Sequence, residues 1–196
     1  MPVIPLRTSA SPVIAHPHAA LRARIAWLCH LSRAAALGWA AWMLFVVVQV
    51  WTDQSRLTGM LGRYLNADLG AVTPSEVAWG FAAQVAAWIS GAAVAYCIWR
   101  LFGTYLEGRI FTGDAATWMQ RIGIAGLITV AAAIMARRIS WLILTSHAGL
   151  PLSTRLFSQF AVPSDLLGVL FSLFVLAIGY VFRTAVQIAD DNASIV

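Results

Sequence analysis

Residues 108–123 read GRIFTGDAATWMQRIG, a short polar stretch with Arg109, Asp114 and Arg121 set between two long apolar runs. Two runs of about 20 apolar residues each can cross a hydrocarbon core of about 30 Å as helices, so the polar stretch reads as the turn joining them outside the lipid. Within it, Gly108 and Gly113 are expected to let the chain reverse. Asp114 is expected to cap the helix that follows, where a carboxylate also suits the helix dipole.

Outward from this turn, the preceding run is Val77–Trp99 and the following run about Ala116–Ala136. Two further runs flank that hairpin, about Ala34–Trp51 and Leu166–Phe182. The fold class follows: all-α, a polytopic membrane protein with four transmembrane helices packed as a bundle over residues 21–196. Residues 1–20, with four prolines and no continuous apolar core, read as a mobile cytoplasmic tail and not as a cleavable signal peptide.

Composition agrees. Of 196 residues 60% are hydrophobic and 11% charged, with a mean hydropathy of +0.77, values outside the soluble-domain range. All thirteen cations are arginine, which hints at a bacterial source. They lie singly or in pairs and form no basic stripe with interleaved aromatics, so no direct nucleic-acid contact is expected.

Their distribution instead orients the chain. With four spans, one side holds eight arginines, Arg109 and Arg121 among them, and the other five. The positive-inside rule then places both termini and the 108–123 turn in the cytoplasm of a bacterial inner membrane. Trp27, Trp51, Trp79, Trp99, Trp118 and Trp141 fall near the expected interfaces.

In the second span Ala83, Ala87, Gly91 and Ala95 recur every fourth residue, and Gly168 and Ser172 repeat the spacing once in the last. Small side chains on one face let helices approach closely, either within the chain or in a homo-oligomer.

Chemistry is sparse. Arg137 and Arg138 interrupt an apolar run, and each would cost about 2.5 to 3.5 kcal/mol at a span's centre. Placed at the outer interface they act as anchors, or as an anion or lipid-headgroup site with Asp68, Glu76 or Asp165 as partner. His30 and His147 fall on opposite sides of the membrane, which argues against a bis-histidine haem. Cys29, His30 and Cys97 share one end, yet their depths differ by about 10 Å, so no metal or cofactor is expected. Phosphate loops, paired carboxylates within a span and nucleophile elbows are missing from the sequence, which leans against an enzyme.

The turn also carries a likeness. An aromatic-rich helix end, then Gly108, Phe111 and Thr112 in a Gly-x-x-Phe-Thr step, then a helix entering Arg121-Ile122-Gly123, resembles the bacterial membrane family called domain of unknown function 2975. LLGVLFSLFVLAIGYVFRTAVQIADDN resembles that family's last span with its acidic amphipathic tail, although the final NASIV is less charged than its usual ending. The resemblance implies a four-span inner-membrane protein without established activity. Genes of that family often neighbour one for a small helix-turn-helix regulator, so the resemblance also implies a cytoplasmic protein partner.

Two functional expectations result. One is a sensor, anchor or accessory subunit whose partner-contact loop is Arg109, Thr112, Asp114 and Arg121. The other is a small transporter or channel component that oligomerises through the Ala83, Ala87, Gly91, Ala95 face.

Overall fold

The computed structural model describes residues 17–53, 55, 58–59, 62–63, 73–146 and 162–193, with side chains from residue 26. It is all-helical over these residues: α1 (Pro17–Thr52), α2 (Pro74–Leu106), α3 (Gly113–Leu144) and α4 (Pro163–Ala193). All four are long and apolar enough to cross a membrane. The tail expected over residues 1–20 lies outside the described residues, except that α1 begins at Pro17. Asp68 and His147 lie outside them too.

The helices exceed the expected spans at both ends. At about 1.5 Å per residue, 31 to 36 residues make rods of about 46 to 54 Å, well beyond the core thickness. Lipid thickness sets how many residues must be apolar, while the backbone goes on helical until a cap stops it. For α2 that cap is a capping box: the Thr73 hydroxyl accepts from Glu76 N–H and the Glu76 carboxylate accepts from Thr73 N–H at 2.8 Å, with Pro74 at the first turn.

Packing runs along the chain order. α1 lies on α2, α2 on α3 and α3 on α4, so the start of α1, the α2–α3 turn and the end of α4 share one end of the bundle. Most of the remaining apolar surface, including Trp42, Phe45, Ile89, Ile128, Phe171 and Phe174, faces outward, as lipid contact requires.

The small-residue ladder of α2 is used inside the chain. Gly91 and Ala95 are buried, and a Cβ on Gly91 would meet the Trp39 ring of α1 at 2.9 Å and Thr129 of α3 at 3.7 Å. Ala83 and Ala87 are half-buried. Gly80 is a notch for Trp51, which is buried there despite its place near a span end.

Polar side chains stitch the same seams. Trp88 Nε1 donates to the Ala40 carbonyl at 2.8 Å, joining α2 to α1, and Gln84 donates to Ser140 Oγ at 3.3 Å, joining α2 to α3. Trp88→Phe keeps the ring and deletes the first bond. The expected cost is about 0.6 to 1.5 kcal/mol, read as a lower midpoint in denaturing-detergent titration with unchanged helicity.

Candidate functional site

The turn between α2 and α3 is built by backbone capping. Arg109 N–H bonds the Thr104 carbonyl and Gly108 N–H bonds the Tyr105 carbonyl, both at 3.0 Å, the Schellman pattern that closes a helix. It needs a left-handed residue, and Gly108 supplies it with φ 83°. Gly113 does not share that role, because it is already the first residue of α3.

The cap of α3 is Thr112, not Asp114. Thr112 has the extended backbone of a cap and its hydroxyl accepts from Ala115 N–H at 3.4 Å. Asp114 stands in the first turn and receives Arg109 Nη1 at 3.0 Å. Arg109 also binds the Glu107 carboxylate, so one guanidinium bridges the end of α2 to the start of α3. The hydrogen bond to Glu107 holds that guanidinium above its ordinary pKa. All three side chains are exposed, so the bridge positions the turn and adds little stability.

Of the expected loop residues, Arg109, Thr112 and Asp114 therefore form one hydrogen-bonded unit. Arg121 stands apart, two turns into α3, with its guanidinium 4.6 Å from the Trp118 ring centroid.

Phe111, read from the sequence only as part of the Gly-x-x-Phe-Thr step, stands outside the four expected contact residues. At the apex of the turn it is 75% exposed, and its ring lies 5.8 Å from that of Phe182 near the end of α4. The two rings, with Ala185, Val186, Ala189 and Asp190, line an open apolar cleft of about 240 Å³. The signals for Phe111 in the sequence are its place in that step and a large aromatic inside a polar turn. Below it, Gln120 ties the seam: its amide donates to the Gly179 carbonyl and its oxygen accepts from Arg183, both at 3.5 Å. The turn and the α4 tail thus form one continuous surface.

At the opposite end Arg137 and Asp165 meet in a two-pronged pair, Nη1 to Oδ2 at 2.9 Å and Nη2 to Oδ1 at 2.8 Å. Asp165 Oδ2 also accepts from Val162 N–H at 3.0 Å, capping α4 with the same carboxylate. Of the three carboxylates considered as partners, Asp165 takes Arg137, whereas Glu76 serves the α2 cap and accepts from Ser146 at 3.1 Å. Arg138 is half-buried beside it. The helix continues unbroken through both arginines to Leu144.

Cys29 and Cys97 are buried and unbridged, and His30 is exposed. Among the described residues no three His, Cys, Asp or Glu side chains gather as a metal-binding group.

A family model described as a protein of unknown function (DUF2975) matches residues 13–196, nearly the whole chain. No curated protein and no solved structure matches.

Proposed function

We propose, since the chain belongs to the DUF2975 family of proteins of unknown function, that it is a non-enzymatic bacterial inner-membrane protein that holds a cytoplasmic protein partner. The partner is a soluble regulator of the helix-turn-helix kind, and the chain acts as its anchor, sensor or accessory subunit.

One observation carries this reading: the rigid turn presents Phe111 beside Phe182 over an apolar cleft with an acidic rim at Asp190. Exposed aromatics over a pocket are the usual anchors of a protein contact. The Arg109 bridge and the Schellman closure hold the apex in place before binding, which lowers the ordering cost. The start of α1 and the end of α4 share this end, and the arginine bias supports a cytoplasmic side for the surface, where a regulator would be met.

Co-purification from membranes in mild detergent tests it. The wild-type chain is expected to retain a soluble partner, and Phe111→Asp to lose it by about tenfold, the effect of removing an anchor worth at least 1.4 kcal/mol. Since Phe111 is largely exposed, the variant should keep wild-type helicity and yield. Deleting the 183–193 tail should release the partner likewise. Recovery of the same partner with Phe111→Asp, or a chain that binds nothing from its native membranes, would sink the proposal.

A further inference from the structure

A second cleft opens on the other side of the same turn. It measures about 240 Å³ and is walled by Arg33 of α1, Trp99, Arg100 and Gly103 of α2, and Glu107 and Arg109 of the turn. That space exceeds the roughly 30 Å³ share of one water several-fold, enough for a hydrated oxyanion.

Its charges are not balanced from within. Arg109 is taken up by Glu107 and Asp114. Among the described residues Arg33 and Arg100 pair with no carboxylate. Arg33 lies over the Trp99 ring, its guanidinium carbon 3.6 Å from the centroid, and its Nε is buried without a hydrogen-bond partner. A ring face satisfies the guanidinium's π surface but not an N–H donor, so the Nε–H stays unmet. A half-buried cation in that state is stabilised by an anion more than by water.

The level of the cleft limits what can reach it. Arg33, Trp99 and Arg100 lie where the apolar runs of α1 and α2 begin and end, the depth of lipid phosphates. Thr104 offers no competing donor, because its hydroxyl is spent on the Leu101 carbonyl at 2.7 Å.

We infer that the cleft between α1 and α2 is a phosphate-oxyanion site in which Arg33, held on Trp99, and Arg100 grip the anion. The anion is the phosphodiester of an anionic lipid headgroup or a free phosphate; both present the same paired oxygens to the guanidinium edge. The site is independent of the Phe111 surface, which faces the other side of the turn.

Gly103 supplies a discriminating variant. A Cβ there meets nothing within 4 Å, so Gly103→Leu fills the cleft while keeping every charge and the helix packing. Native mass spectrometry of the protein from nanodiscs of phosphatidylcholine, with or without phosphatidylglycerol, is the measurement. Wild type is expected to retain phosphatidylglycerol over phosphatidylcholine by about tenfold, and Arg33→Gln and Gly103→Leu each to abolish that preference, as loss of one charge-assisted grip requires. Should Arg33→Gln fail to fold, Gly103→Leu carries the test alone.

A parallel arm adds inorganic phosphate to protein in phosphatidylcholine discs. A raised Tm that Gly103→Leu removes assigns the site to free phosphate. An unmoved Tm with retained phosphatidylglycerol assigns it to lipid. Equal retention of the two lipids with no phosphate effect, or an unaltered preference in Gly103→Leu, overturns the inference.

Discussion

Asp165→Ala is expected to lower stability by about 3 kcal/mol, while the double variant Arg137→Leu/Asp165→Leu recovers most of that loss. The pair joins α3 to α4 with two bonds under 3 Å, and Asp165 is only 10% exposed. Removing the carboxylate strands a cation about 24 Å along α3 from Arg121, still within reach of the hydrocarbon. Breaking a buried pair costs about 3 to 5 kcal/mol, and the 29% exposure of Arg137 favours the lower end.

The two single variants should differ. Arg137→Leu leaves Asp165 bonded to Val162 N–H at the positive end of α4, so about 2 kcal/mol is the expected cost. Replacing both charges removes the stranded ion altogether, at the residual cost of the α4 cap, about 1 kcal/mol. Swapping the charges, Arg137→Asp with Asp165→Arg, should not restore stability, because an arginine would then oppose the dipole at the start of α4. Denaturing-detergent titrations of wild type, Arg137→Leu, Asp165→Leu and Arg137→Leu/Asp165→Leu form a double-mutant cycle. Purely additive losses would show that the pair contributes no coupling.

How much of this was legible in the sequence depends on which physical period was at work. Span number and helical class follow from runs such as Leu166–Phe182, because lipid demands apolar residues over a fixed length whatever the neighbours are. Helix ends were less legible, since caps are local bonds at single residues. The choice of Thr112 over Asp114 turns on the extended backbone at Thr112, while the Asp114 carboxylate meets Arg109 instead. Partners across helices were least legible. That Asp165, of three acidic candidates, takes Arg137 depends on the depth at which α4 starts, and Phe111 meets Phe182 only because α4 returns beside the turn. Gly91 and Ala95 read correctly as a packing face, but spacing cannot say that a tryptophan, Trp39, would occupy it.

The same limit points to the most sensitive position in the seam. Gly123→Ala adds a single methyl, yet its Cβ would sit 2.6 Å from Leu176 Cβ and 2.8 Å from both Leu176 Cα and N. Backbone cannot swing aside as a flexible side chain can, so α3 and α4 must separate along their shared seam. Overpacking of this kind costs about 1 to 3 kcal/mol, and contact with backbone places this substitution at the upper end. Helix propensity works the other way by up to about 1 kcal/mol, since alanine is the better helix former, and does not offset the clash. Gly38→Ala isolates that opposing effect: nothing lies within 4 Å of its Cβ on the outward face of α1, so it should leave stability unchanged or raise it slightly. Because α3–α4 separation would also pull Phe182 from Phe111, Gly123→Ala should weaken partner retention while Gly38→Ala leaves it intact. If the two alanines shift the unfolding midpoint equally, the close backbone approach at Gly123 does not hold the seam.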